Sequence, residues 1–236
     1  MSHTSQRRGL DPGDPGREII VLAMVPRQYR DQPGAGAAMR QVALKMLEHD
    51  PENWLSRNFT EIAIPKLGAA QPLIEWMHEY RPDATRRLLM RGIGRFSSVV
   101  SAVYTDVEDV VSLVGDLKGE WLAENQERGL PISIVLSGLF DDVRECCRRT
   151  ESQEHTFLHS LGFFGKVEKL PTEEELELLT MCGHGLISTN RIRHMVEEVK
   201  EGLAPEDAAR HMARPCVCGI VNCKRAESVL RRLAAT

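Results

Sequence analysis

The residues of this chain best suited to chemistry are its cysteines, and they are unevenly placed. Cys146 and Cys147 are adjacent, Cys182, Cys216, Cys218 and Cys223 fall in the last quarter of the 236 residues, and none comes earlier. The local sequences are Met181-Cys-Gly-His-Gly185 and Pro215-Cys-Val-Cys-Gly-Ile-Val-Asn-Cys-Lys-Arg225. Only a deprotonated sulfur binds a soft metal strongly, so four cysteines gathered in two glycine-containing loops are candidate thiolate ligands. Gly183, Gly185 and Gly219 remove side chains where the backbone must turn tightly around such a centre. In a reducing compartment cysteines are expected to serve as ligands, catalytic groups or packing residues rather than disulfides.

The four thiolates suit an iron–sulfur cluster, a [4Fe–4S] cluster first. Their spacing, C-x-C followed by C-x4-C, matches no common ferredoxin pattern. Zinc is the alternative, although zinc sites usually present C-x2–4-C pairs. His184 can replace one cysteine or donate a hydrogen bond to a sulfur. Lys224 and Arg225 add positive charge beside Cys223 and are expected to stand around the cofactor, outside its ligands. Backbone N–H groups at the two neighbouring helix starts are expected to offset the sulfur charge. Without a metal, the same cysteines would be small apolar groups filling helix junctions.

Met181-Cys-Gly-His-Gly185 also resembles the Met-Cys-Gly-His segment of the proline racemase and hydroxyproline epimerase family, over five residues. The resemblance implies an acid/base thiol at Cys182, with His184 assisting, that exchanges the α-proton of an amino acid. That family needs a second Cys-Gly motif in a symmetric partner domain, and Cys218-Gly219 is a poor counterpart. A thiol at a helix N-terminus would have the lowered pKa such a role requires.

Other groups read more plainly. Cys146 and Cys147 point about 100° apart on a helix, so one is expected in the core and one partly exposed. His155 and His159 share a helical face, the geometry of a two-histidine metal site, without the glutamate of H-E-x-x-H. Gly34-Ala-Gly36 lacks the full G-x-G-x-x-G spacing and reads as a turn. Ser137-Gly138 lacks the first glycine of a nucleophile elbow. Asp141-Asp142 reads as a helix-start charge pair.

The elements that must position these residues come from periodicity. Residues 18–25 and 131–136 read as buried strands, 59–65 as an alternating strand and 88–90 as a short one, followed by a glycine turn at 92–94. Helical spacing covers 37–49, 72–80 and 141–149, and most of 97–127 reads as helix, broken near Gly115 and Gly119. After Leu170 the pattern is purely helical. Thr172 with Glu175 forms a capping box, Ser188 or Thr189 caps the next helix, Pro205 opens a third and Asn222 caps a fourth. Strands alternating with helices imply an α/β fold with a mainly parallel sheet layer, followed by an all-helical C-terminal segment. The expected organisation is a disordered tail over 1–16, an α/β domain over 17–165 and a helical, cysteine-rich metal-binding segment over 166–236.

Composition narrows the function. Thirty basic against thirty-four acidic residues leave a net charge of −4, so no global positive excess exists to hold a nucleic-acid backbone. No apolar run reaches the roughly 18–20 residues of a membrane helix. Residues 1–17 lack the apolar core of a secretion signal. The expectation is a cytoplasmic iron–sulfur protein with a redox or Lewis-acid role on a small substrate or a redox protein partner, without nucleic acid or membrane. The alternatives are a non-catalytic assembly module with structural zinc, and a cysteine acid/base enzyme using Cys182 and His184.

Overall fold

The structure, a computed structural model, describes residues 7–13, 17–54, 99–119, 130–154, 156, 162–216 and 219–236. The first strand, β1 (Ile19–Met24), is apolar throughout because it is buried on both faces. Ile19, Val21 and Ala23 enter one core, and Ile20 enters another. Helix α1 (Ala35–Glu48) follows, burying Ala38, Met39, Val42, Ala43 and Met46 at helical spacing. Next come β2 (Asn53–Trp54), β3 (Val99–Tyr104), α2 (Val107–Lys118), β4 (Ser133–Ser137) and α3 (Phe140–Arg149).

Among the described residues the strands form one sheet in the order β2-β3-β1-β4, and every neighbouring pair is antiparallel. The expectation of a mainly parallel sheet is therefore corrected. β1 and β2, joined through α1, run the same way but are separated by β3. β3 and β4 likewise run the same way with β1 between them. These are split β-α-β crossovers, in which each helix joins parallel strands that are not neighbours. A strand buried on both faces is apolar throughout whether its neighbours are parallel or antiparallel, so its composition does not carry strand direction.

The segment from 97 to 127 is also corrected. Its first valines form β3, and the helix begins only at Val107, where the Asp106 carboxylate accepts the backbone N–H of Glu108. The β-branched run Val99-Val100-Ser-Ala-Val103 fits a pleated surface, so strand preference prevails there over helical spacing. The strands expected at 59–65 and 88–90, the helix at 72–80 and the turn at 92–94 lie outside the described residues.

One core lies between the sheet and α1, α2 and α3. There the Tyr104 hydroxyl donates to the Met46 carbonyl at 2.7 Å, tying β3 to the end of α1. The second core lies in four helices: α4 (Glu173–Met181), α5 (Thr189–Lys200), α6 (Pro205–Ala213) and α7 (Cys223–Ala234). Ile20 and Val103 belong to this second core, so the helical segment packs on the opposite sheet face. Its helix starts are those the sequence marks. Thr172 and Glu175 make the capping box, Ser188 caps α5, Pro205 opens α6 and Asn222 caps α7. No helix among the described residues is long and apolar enough to cross a membrane.

Candidate thiol centre

Two turns of the same form carry two of the candidate ligands. Helix α4 ends at Met181, and the Cys182 carbonyl accepts the Gly185 N–H at 2.9 Å. After α6, the Cys216 carbonyl accepts the Gly219 N–H at 3.2 Å. Gly185 and Gly219 close these turns in the left-handed region, at φ 65° and 66°. A side chain there would cost on the order of 1–2 kcal/mol, which explains the glycine in both Cys-x-x-Gly segments. His184 in the first segment and Cys218 in the second take the same place in sequence.

The fold brings the two turns together. The Cys182 and Cys216 side chains come within hydrogen-bond reach of each other, and both residues are buried. The Cys216 thiol lowers the Cys182 thiol to about 5, against the opposing effect of burial. The backbone N–H groups of Leu186 and His184 and the nearby His184 charge act in the same direction. Cys182 thus favours thiolate, but not because of a helix N-terminus. It stands at the C-terminal end of α4, and the donors come from the turn that follows.

The remaining predicted residues are placed less favourably. Cys223 is half-buried at the first position of α7, where Asn222 accepts the Arg225 N–H. Cys218 lies outside the described residues. Among the described residues no three His, Cys, Asp or Glu side chains are close enough to hold a metal ion, so Cys182 and Cys216 are the assembled part of the expected tetrad. Lys224 and Arg225 face carboxylates. The Lys224 ammonium is 2.6 Å from Glu52, and the Arg225 guanidinium donates to Glu18 at 3.1 Å and to the Arg8 carbonyl at 2.7 Å.

Two residues that the sequence did not mark hold the loops in place. Asn53 donates to the carbonyls of Gly219 and Val221 at 2.7 and 2.6 Å. Arg7 lies within the expected tail, yet its side chain is 2% exposed and its guanidinium donates to the carbonyls of Met181 and Ile220 at 2.7 and 2.5 Å. It is therefore bonded to the residue before Cys182 and to the chain between Gly219 and Cys223. Arg7 and Arg225 both pair with Glu18, which is fully buried at the entry to β1. Arg225 and Arg232 also reach Glu177. This chain of ions contains three guanidiniums and two carboxylates. Burial and the neighbouring Arg225 charge bring Arg7 down to about 9, against the upward pull of Cys216 and Cys182.

The other candidates are structural. Cys146 is buried and Cys147 half-buried, as their helical spacing requires, and burial pushes Cys146 up to about 11. Gly34 is the left-handed residue before α1. Asp142 lies in the first turn of α3, 3.6 Å from Arg17. His155 and His159 lie outside the described residues. Comparison of the chain with protein-family models, with curated proteins and with solved structures finds no match.

Proposed function

We propose that this protein carries a soft-metal centre, an iron–sulfur cluster first, on thiolates from Cys182, Cys216, Cys218 and Cys223. The observation that carries this reading is the meeting of Cys182 and Cys216. Two buried thiols, 34 residues apart in sequence, converge from matching glycine-closed turns, and backbone donors point at one sulfur. Burying two thiolates without compensation is costly, and N–H donors and a nearby guanidinium offset that cost. Cys218 would enter from the residue before Gly219, whose carbonyl is held by Asn53. The centre would transfer electrons, or act as a Lewis acid on a small substrate if one iron keeps an open position. The exposed residues Gly183 to Leu186 above Cys182 would form the approach for a redox partner or substrate.

The test is the absorption spectrum of anaerobically purified protein, with iron, zinc and sulfide assayed on the same sample. Broad absorption near about 400 nm with matching iron and sulfide, lost in Cys216→Ala, supports the cluster. A colourless protein with zinc would replace it with a structural zinc site that unfolds the helical segment on chelation. Neither metal would overturn both, and leave the Cys182–Cys216 pair as a dithiol or an acid/base site.

A further inference from the structure

We infer that residues 7–9 form a releasable strap that keeps the two cysteine turns closed on each other, and that its release is the event that opens the buried Cys182 and Cys216 thiols to a reacting molecule. This device goes beyond the metal-centre reading and does not depend on it. It governs access to the two thiols whether or not they hold a metal.

The strap is seated residue by residue. Arg7 Nη2 donates to the Met181 carbonyl at 2.7 Å, just before Cys182, and to the Ile220 carbonyl at 2.5 Å, just after Gly219. One nitrogen therefore holds the start of one turn against the end of the other. The Arg8 N–H donates to Thr180 Oγ1 at 2.9 Å, and the Arg8 carbonyl accepts from Arg225 Nη2 at 2.7 Å. The Arg8 guanidinium pairs with Glu173 at 2.6 Å and lies 5.3 Å from the centre of the Phe163 ring. Gly9 passes so close to α4 that a Cβ atom there would stand 2.3 Å from the Glu177 side chain, and its φ of 70° is left-handed. Asn53 fastens the second turn to the sheet, whereas Arg7 fastens the two turns to each other.

These fastenings are polar. Among the described residues neither hydrophobic core takes a member from before Ile19. The strap can therefore leave while both cores stay packed, as a local opening that costs less than global unfolding. Two features ease its departure. Arg7 Nε is buried and finds no acceptor among the described residues, so release hydrates a donor that the closed form leaves unsatisfied. Glu18 keeps its pairing with Arg225 when Arg7 goes. The thiols are sealed while the strap is seated, since Cys182 and Cys216 are 2% and 1% exposed. Exposing them requires the turns to part, and the turns are what the strap ties.

The experiment uses the full chain, wild type against Gly9→Val, Gly9→Ala and Gly13→Ala. A side chain at Gly9 blocks the strap's seat, whereas a Cβ at Gly13 meets Asp11 at an ordinary 3.6 Å and serves as the control. Each protein is alkylated with N-ethylmaleimide, and the rate at each cysteine is followed by mass spectrometry. Cys146, buried in the other core, is the internal reference. Alkylation of a buried thiol follows the population of its open form. Cys182 and Cys216 should react about tenfold faster or more in Gly9→Val, with Cys146 unchanged and Gly13→Ala like wild type. Unchanged rates at Cys182 and Cys216 would overturn the inference. If Gly9→Val accelerates Cys146 as well, the milder Gly9→Ala decides. A rise of about threefold confined to Cys182 and Cys216 supports the strap, and no rise, or an equal rise at Cys146, overturns it. Iron and zinc are assayed on the same samples. A bound metal slows alkylation in every variant, and the ratio between variants remains the readout. Absence of metal overturns the metal-centre reading alone.

Discussion

Replacing Glu18 by Gln removes one negative charge and almost no volume, and the structure sets the size of the effect. The Glu18 carboxylate is fully buried between the guanidiniums of Arg7 and Arg225, whose side chains are 2% and 5% exposed. At an effective dielectric near 20, a pair of unit charges about 4 Å apart attracts with about 4 kcal/mol before desolvation is counted. Desolvation offsets much of that gross value in the intact cluster. In the variant it does not, because two cations stay buried with their shared anion gone. Breaking a buried pair in this way costs about 3–5 kcal/mol. For a chain of this size, about 2–4 °C per kcal/mol gives a fall in Tm of roughly 6–20 °C. Urea unfolding followed by far-ultraviolet circular dichroism should show a lower midpoint at an unchanged m value. A loss below about 1 kcal/mol would show that the two guanidiniums do not depend on this carboxylate. The assignment of a buried ion cluster at the entry to β1 would then be wrong.

Three further outcomes are expected. Asn53→Ala leaves the Gly219 and Val221 carbonyls without their donor, at about 1 kcal/mol each, and hydrogen exchange should accelerate in residues 219–222 before the sheet is affected. Tyr104→Phe removes the buried bond to the Met46 carbonyl and should cost about 1–2 kcal/mol in thermal unfolding, with α1 and β3 otherwise intact. Glu175 is held below its ordinary carboxylate value of 4.5, chiefly by its hydrogen bond to Arg193. Its folded-state pKa is depressed, so its contribution is fully present above about pH 4.5 and is lost as pH falls through the folded value. Stability of Glu175→Gln and wild type, about 1 kcal/mol apart at neutral pH through the capping box, should converge in acid. A constant gap down to pH 2 would contradict that linkage.

The features legible in the sequence are those written in local chemistry. Thr172 and Glu175, Ser188, Pro205 and Asn222 each act on backbone groups within about four residues, so their roles can be read without the fold. The division of Cys146 and Cys147 between core and surface is also local. Strand direction is not, because it depends on which distant strand fills the space beside β1. Ile19 to Ala23 would be equally apolar beside parallel neighbours. The candidate site was half legible. Cysteine spacing with glycine marked both turns, and the fold brings Cys182 and Cys216 together. Arg7 and Asn53 gave no such signal. An arginine in a polar, proline-rich stretch and an asparagine just after Asp50-Pro51 look like solvated residues. Their role depends on contacts across 213 and 168 residues of sequence, which no local pattern records.

That same separation fixes an order of events during synthesis. Arg7 is made 213 residues before its partner Ile220. Until α7 leaves the ribosome, the guanidinium has neither the second loop to join nor Arg225 to share Glu18 with. The sheet and α1 to α3 can condense earlier, since their core uses no residue beyond Cys146. The thiol centre is therefore a late product of folding, closed by a contact that spans 213 residues, the kind that forms slowly. Cys182 is made 34 residues before Cys216, and only the chain that has passed Cys216 presents it with the second thiol.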